Sequence, residues 1–405
     1  MAPMNYETLY AERAHRAKSS VIRELLKLGS QPGIISLGGG MPDPALFPVK
    51  LFKECMDYAL EQRPNIALQY GETAGYMPLK EALVILSEND GIKGIDSDNV
   101  LVTSGSQQGI DFMAKMFIEK GDTIITEAPT YLSAVQAFDT FGAKFVTVPI
   151  DEQGADIDVL ESKLASLQAQ GIKAKFFYTI PTFQNPAGAS MSLTRRKKLL
   201  SLANQYDLLI IEDNPYGDLR YSGEALPPLI ALDDQERVIY LRTFSKILAP
   251  GIRLAWIVAP KIIISKINLM KQSTDLCSPA ITQVATAEYL KRDYLWPHLE
   301  IIKKSYAHKA EVMYNAIRKH FPSDIQINQP DGGMFIWVVA PEKINASTMF
   351  REAVDKGVAY ILGSAFYPDG TGHNTMRLNF TMQTPENIEE GIRRLSLLLK
   401  EKLAG

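Results

Sequence analysis

Residues 99–129 read NVLVTSGSQQGIDFMAKMFIEKGDTIITEAP. An apolar strand-sized run leads into a Ser/Gly/Gln turn, then a helix-length segment, then a second apolar run. The same unit recurs. TYLSAVQAFDTFG reads as a helix ended by Gly142, KFVTVPI as a strand and DVLESKLASLQAQ as a helix. KFFYTIP (175–181) is a strand, SLTRRKKLLSLANQY a helix and DLLIIED (207–213) a strand, followed by strands at 237–245 and 253–259. Several of these strands lack polar alternation, as expected where helices cover both sheet faces. The alternation predicts an α/β protein with a mostly parallel sheet. Working outward, PLKEALVILSE reads as a helix with Pro78 in its first turn. A helix is expected near 17–28, capped by Ser19 or Ser20. Beyond 260 the chain turns helical, with a long amphipathic helix over 294–320. GMFIWVVA (333–340) and TMRLNF (375–380) read as strands of a smaller unit, closed by the helix ENIEEGIRRLSLLLKEKL. The expected division is a large domain over 46–290 and a small domain built from 1–45 and 291–405.

Composition narrows the function classes. The 405 residues are 46% hydrophobic and 22% charged, with a net charge of −3. No electrostatic case for a nucleic-acid or anionic-membrane partner follows. Cys55 and Cys277 cannot build a disulfide scaffold and fit a reducing compartment. The five histidines never pair at ligand spacing, so no metal site is expected. Met1–Tyr10 is polar, with no secretory leader pattern, and no apolar stretch reaches membrane-spanning length. A cytoplasmic protein is expected.

In open α/β sheets ligands bind beyond the carboxyl ends of the strands. Ser104-Gly105-Ser106-Gln107-Gln108-Gly109 follows the first strand and opens a helix, a place that favours an anion such as phosphate. It is neither a P-loop nor GxGxxG, and by itself it reads equally as a plain strand–turn–helix junction. Asp213 ends a buried strand, which is costly unless it meets a cation or several donors. It also reads as an ordinary cap residue, with Tyr216 three positions on. Asn185-Pro186 is a turn signal that places an amide near the same edge. Lys246 follows a buried strand between small hydroxyls and a Pro-Gly turn; a cleft there would lower its pKa and make it nucleophilic. Arg253, seven positions on, is placed to join the anion site. Together these groups suit pyridoxal phosphate. Its phosphate wants a helix N-terminus, its ring nitrogen a carboxylate and its aldehyde a lysine Schiff base.

The stretches SLGGGMPDPALFP, LQYGETAGYMPLKEAL, VTSGSQQGID, EAPTYLSAVQAF, PTFQNPAG, IIEDNPYGDLRY, YLRTFSKILAPGIRLAW, DGGMFIWV and MRLNF run in order from about residue 15 to 380. On them the chain resembles the fold-type-I pyridoxal-phosphate aminotransferases of class I/II. The branch is that of the 2-aminoadipate (LysN-type), kynurenine and broad-specificity aromatic aminotransferases. The resemblance implies that Lys246 holds the cofactor and shuttles the substrate's α-proton. It implies that Asp213 partners the ring nitrogen, that Tyr216 and Asn185 donate to the ring oxygen, and that Tyr131 stacks on the ring. Ser106, Gln107, Thr243, Ser245 and Arg253 match the phosphate cup, and Tyr70 a tyrosine that reaches the neighbouring subunit's site in a homodimer. Arg377 matches the arginine that forks onto the substrate α-carboxylate, with Gly39 and Gly40 approaching closely beside it. NPAG and TFSK depart from the commoner NPTG and SFSK without removing a required group.

The implied activity moves the α-amino group of an aromatic amino acid, 2-aminoadipate, glutamate or a branched-chain amino acid to a 2-oxo acid, with 2-oxoglutarate the expected acceptor, in a ping-pong reaction. A β-lyase or decarboxylase on the same cofactor is the alternative. An effector-binding module behind a winged helix is disfavoured, because only about 30 residues precede IISLGGG and they carry no basic block. Arg16 is a candidate partner for a distal substrate carboxylate, and equally a solvated helix arginine.

Overall fold

The computed structural model describes residues 3–17 and 31–404. The helix expected near 17–28 falls, apart from Ala17, outside the described residues. Strand β1 (Ile35–Ser36) comes first. The main sheet follows: β2 (Val100–Thr103), β3 (Thr123–Ala128), β4 (Lys144–Asp151), β5 (Gly154–Ala155), β6 (Phe176–Thr179), β7 (Leu209–Asp213), β8 (Val238–Thr243) and β9 (Ala255–Val258). The smaller sheet comprises β10 (Gln326–Ile327), β11 (Phe335–Val339), β13 (Ile361–Leu362) and β14 (Thr375–Asn379), while β12 (Val358–Ala359) pairs with β1 in parallel.

The main sheet runs in the order β2-β9-β8-β7-β6-β3-β4-β5. Its centre, β8-β7-β6-β3-β4, is parallel, as the alternation predicts. Strand β9 is inverted against both β2 and β8. The inversion has a consequence for the site: β9 begins at the edge where its neighbours end. Arg253, just before β9, thereby joins residues that follow β2 and β8. Every residue of β2, β3, β6, β8 and β9 is buried, because helices cover both faces. The apolar residues of one face pack around Phe112, Phe138 and Ile257, and those of the other around Leu199, Phe177 and Val238.

The smaller sheet is antiparallel throughout, and β11 pairs Trp337 opposite Arg377 of β14. Its core joins Leu37 to Met313 of the long helix Leu295–His320 and to Ile388 of the closing helix Pro385–Ala404. Trp256 and Trp337 are buried, as their strand positions predict; Trp296 begins the long helix and is 40% exposed. The helix Val49–Gln62 and the helix Ala346–Asp355 have no counterpart in the sequence reading. No described helix is long and apolar enough to cross a membrane.

Candidate active site

The carboxyl ends of β2, β6, β7 and β8 face a cavity of about 370 Å³, which Gly40, Met41 and β11 and β14 residues close from the smaller unit. Its lining includes Ser106, Gln107, Tyr131, Asn185, Asp213, Tyr216, Thr243, Ser245, Lys246, Arg253 and Arg377. Short turns after consecutive parallel strands bring these distant segments together. Gly39, Tyr70 and Arg16 are not among the lining residues. Gly39 lies beside Met41 and Met382. Tyr70 is 79% exposed. Arg16 sits in the short helix Glu12–Arg16, paired with Asp139 and Glu12 at 3.5 Å.

Lys246 Nζ donates to the Gly40 carbonyl at 2.7 Å. Burial lowers its pKa to about 8, helped by the positive charges of Arg377 and Arg253. A substantial fraction of the amine is therefore neutral near pH 8, as a nucleophile or base requires. In the same cavity, burial pushes Asp213 up to about 6, against a hydrogen bond from Tyr178. Tyr178 Oη donates to Asp213 Oδ2 at 2.7 Å, while Asp213 Oδ1 is buried and has no partner among the described residues.

Arg377 projects from β14 into the cavity. Nη1 donates to Asn185 Oδ1 at 2.7 Å and Nη2 to the Gly38 carbonyl at 3.1 Å, leaving buried Nε unpartnered among the described residues. The guanidinium lies 4.1 Å from the Phe335 ring centre and 5.0 Å from that of Phe366. Burial lowers its pKa to about 10, so it stays cationic at neutral pH. Burial also raises the hydroxyl pKa values of Tyr131 and Tyr216 and keeps both protonated.

The Ser106 end of the cavity is built around the helix Ser106–Phe117. Its first N–H groups have no partner within the helix. Gly105 precedes it with φ +94°, and a Cβ there would collide with the Arg253 guanidinium, so glycine is what lets the arginine approach. Arg253 Nη2 donates to the Ser104 carbonyl at 3.1 Å. Ser106 Oγ is buried without a partner among the described residues. Thr243 Oγ1 bonds Ser245 Oγ at 2.9 Å and receives Ser245 N–H at 3.1 Å.

Sequence reasoning missed the supports behind these groups. Gln184 donates to buried Glu127 at 2.9 Å and to the Pro129 carbonyl at 2.8 Å, and accepts Ala187 N–H at 2.8 Å. One carboxylate thus ties the turn carrying Asn185 to the turn carrying Tyr131. Burial pushes Glu127 up to about 7. Tyr178 looked like an ordinary apolar strand residue in KFFYTIP, and only strand pairing reveals its target. Among the described residues no cluster fits a metal ion.

The donor set fits pyridoxal phosphate. A helix N-terminus with an unpartnered hydroxyl and an arginine suits the phosphate. The free oxygen of Asp213 suits a protonated ring nitrogen, Tyr216 and Asn185 suit the ring hydroxyl, and Lys246 suits the aldehyde.

Comparison with known proteins agrees. The family model "Aminotransferase class I and II" matches residues 35–395. The aromatic-amino-acid aminotransferase 1 of Thermococcus litoralis is 46% identical over 99% of this chain and 96% of its own length. The 2-aminoadipate transaminase of Thermus thermophilus is 38% identical across 100% of both chains. The structure of the kynurenine aminotransferase of Pyrococcus horikoshii, a complex with PMP, superposes with a TM-score of 0.96 at 44% identity over 98% of each chain. The chain belongs to the class I and II aminotransferases, of fold type I, and is an enzyme that uses pyridoxal phosphate to transfer amino groups.

Proposed function

We propose that this enzyme transfers the α-amino group of aromatic amino acids, 2-aminoadipate, glutamate or branched-chain amino acids to 2-oxoglutarate, in a ping-pong reaction at the cavity around Lys246. The observation that carries the reading is the meeting of a lysine with a lowered pKa, a buried carboxylate with a free oxygen and a buried, half-satisfied arginine around one space. When bound, pyridoxal phosphate supplies an electron sink for the charge left as the substrate α-proton departs. The chain's own groups do the rest. Arg377 forks onto the α-carboxylate, with Asn185 and Gly38 fixing its plane. Lys246 Nζ, neutral once its lowered pKa is passed, would take the proton from the substrate α-carbon and deliver it to the carbon that carried the cofactor's aldehyde. The Asp213 carboxylate would keep the ring nitrogen protonated, and Tyr131 would cover the ring. Tyr216 and Asn185 donate to the ring hydroxyl. Ser106, Gln107, Thr243, Ser245 and Arg253 hold the phosphate. Gly40, with Gly39 beside it, lines the carboxylate end. The acceptor oxo acid uses the same arginine in reverse.

The names of the relatives and the apolar lining by Met41, Ile180 and Phe366 support the aromatic and aliphatic donors. A dicarboxylic donor needs a second cation. We assign that role to Arg16, which must exchange Asp139 for the substrate. Arg16→Ala is expected to raise the KM for glutamate or 2-aminoadipate more than that for phenylalanine; equal changes would reject the assignment. A homodimer in which Tyr70 reaches the neighbouring site is supported by the solvent exposure of Tyr70 with Leu68 and Ile66. A cytoplasmic setting is supported by the unpaired thiols of Cys55 and Cys277. The division into a large domain (46–290) and a small one (1–45 with 291–405) is supported by the two separate sheets and by the pairing of β1 with β12.

The test is the visible spectrum of the cofactor-loaded protein. Phenylalanine or glutamate is expected to bleach its band, and 2-oxoglutarate to restore it. Release of ammonia or CO2 in place of a stoichiometric oxo acid would reject transamination.

A further inference from the structure

Asp213 carries a hydrogen bond that the motif carrying it does not announce. Its Oδ2 accepts from Tyr178 at 2.7 Å, and no other protein donor reaches the carboxylate among the described residues. Both residues are buried. Strands β6 and β7 are parallel neighbours, and Tyr178 pairs with Ile211, two residues before Asp213. Asp213 lines the cavity and Tyr178 does not, so the tyrosine bond takes up Oδ2 from outside the lining and leaves Oδ1 without a protein partner among the described residues. Packing does not require that hydroxyl. The ring lies edge-on to Phe138, 5.5 Å between centres, a contact phenylalanine would keep.

We propose that Tyr178 is a positioning residue for amino-group transfer: its hydroxyl fixes the Asp213 carboxylate and keeps it a weak base opposite the cofactor's ring nitrogen. The inference rests on the function proposed above. A carboxylate that accepts a charge-assisted hydrogen bond is stabilised in its ionised form. It then leaves the shared proton on the ring, where positive charge is needed. Without the donor, buried Asp213 becomes more basic, draws the proton to itself and leaves a neutral ring. Burial and the charge of Asp213 hold Tyr178 protonated well beyond the usual tyrosine range, so it stays a donor. The other titratable groups facing Asp213 are Glu127 from the end of β3, Tyr131 after it and Tyr216 from the loop after β7. A change confined to position 178 leaves all three in place.

The experiment compares cofactor-loaded wild type with Tyr178→Phe, reading the pH midpoint of the visible absorption change. That midpoint reports the proton on the Lys246 nitrogen. A positive ring makes this proton more acidic, so losing the positive charge is expected to raise the midpoint by about one pH unit, the scale of a hydrogen bond to a charged group. Turnover is expected to fall while the KM for phenylalanine holds, since Arg377 is untouched. Fluorotyrosine at position 178 keeps the shape but is a stronger donor, and is expected to move the midpoint down. Reconstitution with an analogue carrying carbon in place of the ring nitrogen is expected to erase the difference between wild type and Tyr178→Phe. An unmoved midpoint, or a difference that persists with the analogue, overturns the proposal. Should Tyr178→Phe fail to retain the cofactor, the fluorotyrosine protein decides: a downward shift supports the proposal and no shift overturns it. Failure of the wild-type band to respond to amino acid would instead overturn the proposed function itself.

Discussion

Lys246→Ala is expected to lower turnover by about 10⁴-fold, because one substitution removes the group proposed as both nucleophile and proton shuttle. The loss should appear in each half-reaction, followed as bleaching by phenylalanine and recovery with 2-oxoglutarate. Loss of less than about tenfold would mean that another group moves the proton. The same lysine sets a pH dependence. Its pKa is lowered to about 8, mainly by burial. The neutral amine, which captures the cofactor, therefore grows roughly tenfold per pH unit below 8 and saturates above it. Uptake of pyridoxal phosphate by the cofactor-free protein should rise with pH and level off near 8. A solvated lysine would give a rise continuing to about 10.4. Stopped-flow absorbance distinguishes the two profiles.

Arg377→Lys is expected to reduce kcat/KM by about 10²-fold, equivalent to about 3 kcal/mol, the usual cost of breaking a buried hydrogen-bonded charge contact. Lysine keeps the charge but loses the planar fork. It cannot serve Asn185 Oδ1, the Gly38 carbonyl and a substrate carboxylate in one plane, nor stack between Phe335 and Phe366. The α-carboxylate is common to all amino-acid donors, so phenylalanine and glutamate should suffer alike and their efficiency ratio should hold. The absorption band without substrate should stay unchanged. Selective loss of one substrate would move Arg377 from the α-carboxylate to the side-chain pocket.

The parallel core of the main sheet was legible from the sequence because strands such as Thr123–Ala128, Phe176–Thr179 and Val238–Thr243 are buried on both faces and are therefore mostly apolar without polar alternation. The helices between them carry their own punctuation, such as Pro78 and Gly142. Lys246, Asp213 and Asn185 were legible because polar groups at the ends of buried strands have few structural excuses. The same logic failed for Tyr178 and Glu127. Each lies inside an apolar strand or at its last residues, and its role depends on a neighbour contributed by another strand. Arg16 and Tyr70 match positions in the sequence pattern, but a match carries no information about which surface a side chain meets, and neither lines the cavity.

Local sequence by itself determined the strand–turn–helix units, the helix start after Ser104-Gly105 and the chemical types at each strand end, because propensity, capping and burial act over a few residues. Tertiary structure alone decided which ends meet. The inversion of β9 carries Arg253 to the Ser106 helix, β14 swings Arg377 across to Asn185, 192 residues away in sequence, and β6 sets the Tyr178 hydroxyl against Asp213. Strand order and direction are properties of the whole packed chain, and no window of sequence contains them.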